Sequence, residues 1–277
     1  MIGKIRSLPL NRWTLQRFGL SPSKLLARVA NSGAPRVFCV SIPKAGTHLL
    51  ERALCLHPKL YRKLLPTITP KNVTRWGGLE GLLARVRRGQ VLVSHLRFEP
   101  EYVDLLGRHD THGIFLVRDP RDIAVSLVDY ISKRVDHRVH DLFARREGSK
   151  DKLRLAIAGD PEREFPSMGR RLDDFAGWLT SGCLVVRFED LVGPEGGGDA
   201  DRQQLAVESI YRYLGMGTDE RMIRSIVDRL FSRDSPTFHA GAIGRWRELF
   251  DKETGALFND VIGSRADPYG YELSAEP

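Results

Sequence analysis

Val37-Phe38-Cys39-Val40-Ser41-Ile42-Pro43-Lys44-Ala45-Gly46-Thr47-His48 is the stretch on which the reading of this chain turns. Its first six residues, almost all apolar, suit a strand buried on both faces and are too few for a buried helix. Pro43 and Gly46 break the pattern, and 47–56 resumes it with helical spacing. A buried strand that passes through a short turn into a helix is the first half of a parallel β-α-β unit.

The same alternation continues outward. Segments 90–94, 113–117 and 183–188 read as further buried strands, with helical patterns over 79–88, 99–107, 120–134, 168–180, 200–214 and 219–231. Together they predict an α/β fold, a three-layer α/β/α sandwich around a central parallel sheet. Residues 136–166 are highly charged and contain Gly148, Gly159, Pro161 and Pro166, the pattern of an insertion or lid over the sheet. No internal repeat or linker is evident, so the economical division is an arm over 1–35 and one domain over 36–277.

With 277 residues, 42% hydrophobic and 28% charged, the chain has the composition of a folded protein and enough material for a sizeable core. No run approaches the 18 or so apolar residues of a spanning helix. Cys39, Cys55 and Cys183 are odd in number and sit among apolar residues, which argues against a disulfide framework and predicts a reducing, cytoplasmic setting. The net charge of +8 is unevenly placed. Lys4, Arg6, Arg12, Arg17, Lys24, Arg28 and Arg36 fall in a stretch without a single acid, and the remainder is close to neutral. This basic amphipathic arm fits a peripheral membrane-surface segment, a transit peptide or a helical arm packed on the domain.

The turn 43–48 has the makings of an anion site. In an open parallel sheet, ligands bind beyond the carboxyl ends of the strands, where a helix start offers free N–H groups and a favourable dipole. Gly46 permits close backbone approach, Lys44 adds a full charge and Thr47 a hydroxyl. The Gly-x-x-x-x-Gly-Lys-Ser/Thr loop of nucleoside-triphosphate enzymes is absent, because here the Lys precedes the Gly. The architecture repeats at 113–126: a strand, the charged turn Arg118-Asp119-Pro120, and a helix bearing Ser126. Arg118 and Ser126 can meet one phosphate, or the turn can be an Arg-Asp pair that caps a helix.

Taken together, Pro43-Lys44-Ala45-Gly46-Thr47 and Arg118 through Ser126 resemble the signature pair of the sulfotransferases that use 3′-phosphoadenylyl sulfate (PAPS): the 5′-phosphosulfate loop and the 3′-phosphate segment. Val93-Ser94-His95 is similar to the strand end that carries that family's catalytic His. Val186-Arg187-Phe188-Glu189-Asp190-Leu191 is similar to its Tyr-Glu-Asp strand, and Gly241-Ala242-Ile243-Gly244-Arg245-Trp246 to its Gly-x-x-Gly-x-Trp loop over the nucleotide. The resemblance implies a P-loop-NTPase-like fold, PAPS as donor and 3′,5′-bisphosphoadenosine (PAP) as product, with no metal. It carries Lys44 and His95 over as catalytic residues. Lys44, Ala45, Gly46, Thr47, His48, Arg118, Ser126, Phe188, Gly241 and Arg245 are carried over as donor-binding positions. The chain departs from the family at His239-Ala240, where a cation pair is common and Arg245 or Arg247 would have to substitute. It departs also at Phe188, in place of Tyr, and at His48-Leu49, in place of Thr-Trp.

The implied chemistry is in-line transfer of a sulfuryl group through a loose transition state, with Lys44 on the leaving oxygen and His95 as general base toward an acceptor hydroxyl or amine. Glu189 and Asp190 are expected to anchor neighbouring loops, and Trp178 and Trp246 to pack the core or the nucleotide loop. The alternatives are a P-loop-type phosphoryl transferase and a non-catalytic protein that binds anions or a membrane surface through its arm. Loss of 1–35 should spare nucleotide binding in a sulfotransferase. The acceptor is a small molecule, a carbohydrate or a lipid; basic and aromatic residues interleave too little outside the arm for nucleic acid.

Overall fold

Five parallel strands carry the fold: β1 (Arg36–Ser41), β2 (Tyr61–Arg62), β3 (Gln90–Ser94), β4 (Thr111–Val117) and β5 (Leu184–Arg187), in the order β2-β3-β1-β4-β5. The computed structural model describes residues 12–29, 33–217, 219–231 and 242–272. From β1 the chain goes to the β2–β3 side and then returns to β4 on the other side. The direction of winding therefore reverses at β1, the point where a crevice opens beyond the strand ends.

Side chains along each central strand alternate between two cores. Phe38, Val40, Leu92, Phe115 and Val117 enter one, and Val37, Cys39, Val91, Val93, Ile114 and Leu116 enter the other. Helices cover both faces, which is why these strands read as unbroken apolar runs. Trp178 is fully buried in the first core against Phe38 and Phe98, and its indole N–H donates to Leu96 O at 3.1 Å.

The elements differ from expectation in three places. β2 has only two residues, too few to show a period. β5 ends at Arg187, and Phe188–Leu191 forms a helical turn instead of extending the strand. Segment 136–166 is not a detached lid: the His140–Ala144 and Gly148–Ala158 helices bury Phe143, Leu153, Ala156 and Ile157 in the first core. The charges that suggested a lid occupy the outer faces of these helices.

In the amino-terminal arm, the Arg12–Arg17 and Pro22–Val29 helices lie against the Thr47–Leu56 helix and β2. Lys24 is fully buried and donates to the carbonyls of Cys55 (2.7 Å), His57 (2.8 Å) and Leu60. A cation thus meets the carbonyl end of a helix, where the dipole favours it. Arg17 pairs with buried Glu51, which also pairs with Arg62 at 3.2 Å. Burial alone would raise the Glu51 carboxyl; the His48 hydrogen bond, Arg62 and Arg17 bring it down to about 2. Lys24 and Arg17 are therefore internal partners and not charge displayed for a ligand. No helix among the described residues is long and apolar enough to cross a membrane.

Replacement Lys24→Met should cost at least about 2 kcal/mol in urea unfolding, because buried carbonyls lose their donor. Unchanged stability would mean that the ammonium is not needed to satisfy them.

Candidate functional site

Beyond the carboxyl ends of β1, β3 and β4 lies a cavity of about 510 Å³, within the usual range of roughly 300–1,000 Å³ for small-molecule sites. Lys44, Gly46, Thr47, His48, His95, Arg118, Ser126 and Phe188 all line it. The two strand-to-helix corners thus face one space. β1 and β4 are adjacent, with Ser41 opposite Leu116, so Lys44 and Arg118 leave the sheet side by side.

The first corner is built on two left-handed residues, Lys44 (φ 77) and Gly46 (φ 101). For Lys44 this costs about 1–2 kcal/mol. Gly46 is required twice over, since a Cβ there would also lie 2.4 Å from the Phe188 ring. The helix that begins at Thr47 has no side-chain cap, whereas the helices at 120, 168, 200, 220 and 252 are capped by Asp119, Ser167, Asp199, Asp219 and Asp251. Its first-turn N–H groups therefore lack an intrahelical acceptor at the cavity. Ala45, expected to donate a backbone N–H to the anion, is fully buried and gives that N–H to Ile42 O at 3.0 Å. The cradle falls on Gly46, Thr47 and His48.

At the second corner the turn caps its helix, and Arg118 still lines the cavity. Asp119 caps the Pro120–Lys133 helix by accepting from the Arg121 N–H at 2.8 Å, and it pairs with the Arg121 side chain. Arg118 is left for the cavity. Only 8% exposed, it donates to Lys44 O (3.3 Å) and Ala242 O (3.0 Å) and lies 4.2 Å above the Phe188 ring, while its buried Nε has no partner. Behind it, Asp122 accepts from the N–H groups of Gly244 (2.7 Å) and Trp246 (3.3 Å), which fastens the carboxyl-terminal loop to this corner. Glu189 ties in a third segment, accepting from the Asp119 N–H (2.9 Å) and the Tyr271 hydroxyl (2.7 Å).

Arg245, carried over as a donor-binding position, has another partner in this structure. Its guanidinium pairs with Asp129 at 2.6 Å, about two helical turns beyond Asp122, and it is not among the residues lining the cavity. Arg247 lies against the Trp246 ring. Gly241 lies outside the described residues. Among the described residues, no three His, Cys, Asp or Glu side chains gather as a metal site.

Two basic groups have altered acidity. Burial, and then the neighbouring Arg118, lowers the Lys44 ammonium to about 8; its Nζ rests 4.1 Å from the Tyr130 ring centroid. His95 Nδ1 is 2.8 Å from Ser41 O. A carbonyl only accepts, so Nδ1 carries the proton and Nε2 keeps its lone pair. Burial pushes this imidazole down to about 4, against the raising effect of the Ser41 bond and with help from His48, Lys44 and Arg62. At neutral pH, His95 is an uncharged base of fixed tautomer.

Sequence reading missed Tyr130, His137, Thr67, Thr69, Leu49, Arg52 and Phe231 in the wall. For Tyr130 a signal existed: Asp122, Ser126 and Tyr130 repeat every four residues on one helix face. Thr67 and Thr69 carried none. They flank Ile68, which bridges to Ser94 and whose carbonyl accepts the His95 N–H at 2.8 Å. Arg52, in the wall, lies 4.3 Å from the Trp13 ring centroid, so the arm packs against the cavity wall.

The arrangement matches known structures in fold. Mouse sulfotransferase SULT7A1, solved with PAP, superposes with a TM-score of 0.62 at 18% identity over 89% of this chain and 93% of that one. Retinol dehydratase, solved with retinol and PAP, gives 0.56 at 17% identity over 84% and 82%. The same enzyme with androsterone and PAP gives 0.54 at 17% over 85% and 82%. The chain has the α/β fold of PAPS-dependent sulfotransferases. No protein-family model matches it, and no curated protein matches it by sequence.

Two measurements check this geometry. Imidazole NMR should put the His95 titration at about 4, and a midpoint at the ordinary 6.5 would contradict its burial. The folded value lies below the unfolded one, so His95 lowers stability as pH falls from 6.5 to 4 and contributes no penalty above. Gly46→Ala should abolish ligand binding at the cavity in calorimetry, since it strains both the loop and the Phe188 ring.

Proposed function

We propose that the protein transfers a sulfuryl group from PAPS to a hydroxyl or amine of an acceptor. The observation that carries this reading is one cavity lined by two cations from separate strand-to-helix corners, half-buried Lys44 and buried Arg118, together with the neutral imidazole of His95. The residues suit a donor with two anionic ends: an uncapped helix start faces one, and a buried guanidinium with an unpartnered Nε and the Ser126 hydroxyl face the other. The PAP found in the structural neighbours supports the same choice.

PAPS supplies the sulfuryl group on a phosphate leaving group. The N–H groups of Gly46, Thr47 and His48 hold the 5′-phosphate, and Lys44 neutralises charge as it develops on the leaving oxygen. Arg118 and Ser126 hold the 3′-phosphate. His95, oriented by Ser41 O, accepts the acceptor's proton at Nε2. Its low basicity limits the driving force for proton transfer but keeps it unprotonated across the physiological range. Burial that disfavours the Lys44 and Arg118 charges in the free protein is relieved by an anion, so donor binding and charge restoration coincide.

Calorimetry with PAP in the absence of magnesium should show binding, and Arg118→Ala should weaken it; a preference for ATP with magnesium would instead favour the phosphoryl-transfer reading. Lys44→Ala should lower kcat by about 10²–10³. His95→Ala should suppress turnover while PAP affinity stays nearly constant, and ordinary activity in that variant would remove it from the base role. For PAPS, kcat/KM should fall above about pH 8 as Lys44 loses its proton in the free enzyme, and should hold on the acid side down to about pH 4.

A further inference from the structure

Ser41 ends β1 as the one hydroxyl in the run Val37-Phe38-Cys39-Val40-Ser41-Ile42, and it is fully buried. A hydroxyl without a partner in such a place is costly, so its hydrogen bonds have to be accounted for. On the neighbouring strand, Ser94 is buried opposite Val40, and its hydroxyl serves the turn by accepting the Leu96 N–H at 2.9 Å. Ser41 is used differently. Its Oγ lies 2.7 Å from Thr47 Oγ1, at the helix start that faces the cavity, and 3.4 Å from His95 Nδ1; its carbonyl is 2.8 Å from the same nitrogen. One residue therefore touches both the helix of the first corner and the imidazole.

The direction of these bonds follows from the acceptors. The Ser41 carbonyl only accepts, so His95 Nδ1 donates there, with Ser41 Oγ as a second, longer acceptor. Ser41 then has its own hydrogen for Thr47 Oγ1. Thr47, 7% exposed and part of the cavity wall, keeps its hydrogen for an acceptor at the helix start. An anion held by the N–H groups of Gly46, Thr47 and His48 is such an acceptor, and it selects this direction over the reverse one. The chain then runs one way, from His95 through Ser41 and Thr47 to the anion. Bonds in such a chain polarise one another: negative charge at the far end makes each oxygen a better acceptor of the next hydrogen. The Nδ1–H gains last, which strengthens the hold of Nε2 on a proton.

We infer that Ser41 is a positioning residue that couples donor binding to the base: a phosphate at the Thr47 helix start orders the hydroxyl chain, locks the tautomer and ring of His95, and makes Nε2 more basic. The inference rests on the sulfotransferase reading and adds to it a residue that touches neither donor nor acceptor. In the free protein, burial holds His95 down to about 4, the Ser41 bond raising it and His48, Lys44 and Arg62 lowering it further. Tyr130 and His137 are further titratable groups on the same cavity wall. The imidazole is thus a weak base until the donor is in place, and it gains strength when an acceptor hydroxyl has a sulfuryl group to attack. A phosphate also offsets Lys44 through space, and substitutions in the hydroxyl chain separate that effect from the one carried by Ser41.

The test follows His95 by imidazole nitrogen NMR on the full chain, its signals assigned by their loss in His95→Gln, with PAP as the ligand. Saturating PAP should raise the titration midpoint by about one unit, with the proton of the neutral ring on Nδ1 throughout. Ser41→Ala retains the carbonyl; it should bind PAP within about twofold of the unaltered chain and show less than about half of that rise. Ser41→Thr, which restores a hydroxyl, should recover it. Thr47→Val, measured at PAP concentrations that saturate it, should lose the rise in the same way, and it decides the matter if Ser41→Ala does not fold. An equal rise in all these variants would mean that the donor's charge acts through space alone, and the coupling would be overturned. A midpoint that PAP leaves unmoved, or a neutral ring with its proton on Nε2, would also overturn it while leaving the donor reading intact. PAP that fails to bind in calorimetry sinks the donor reading itself, and the coupling with it.

Discussion

The guanidinium of Arg118 is the constraint on which the site depends. From the end of β4 it reaches Lys44 O at the end of β1 and Ala242 O in the carboxyl-terminal loop, with its face on the ring of Phe188. Four separate segments are thereby set against one another by a single planar group. Phe188 in turn occupies the space that a side chain at position 46 would need, so the glycine, the ring and the guanidinium form one stack. Asp122 and Glu189 complete the framework from behind, each accepting backbone N–H groups of a neighbouring loop.

Such a cluster is expensive in the absence of a ligand. Burial disfavours the charges of Lys44 and Arg118, and it equally disfavours those of Asp122 and Glu189. The opposite signs partly compensate, which holds the framework together and leaves a net demand for negative charge on the cavity side. The contrast in helix starts points the same way. Five helices are capped by an Asp or Ser side chain, whereas where the Thr47–Leu56 helix meets the cavity the N-cap is a glycine and the first-turn N–H groups stay available.

The distribution of charge illustrates how a total misleads. Of the three readings open to the acid-free amino-terminal stretch, the packed arm is the one seen: Arg17 pairs with a buried glutamate and Lys24 with backbone carbonyls. Both serve the architecture of the Thr47–Leu56 helix. Through Trp13 and Arg52 the arm reaches the cavity wall as well.

From sequence alone, the sheet, the two strand-to-helix corners and the residues those corners bring to the cavity were legible. Strands buried on both faces must be continuously apolar, and a loop with Gly between such a strand and a helix sets the free N–H groups of the helix start beyond the strand end. Tertiary structure alone decided the partners. Arg245 went to Asp129, the Ala45 N–H to Ile42, and Thr67 and Thr69 came to flank His95 through a single bridge between Ile68 and Ser94. A side chain's role depends on which neighbour competes for it, and that competition takes place between segments far apart in the chain, where local periodicity carries no information.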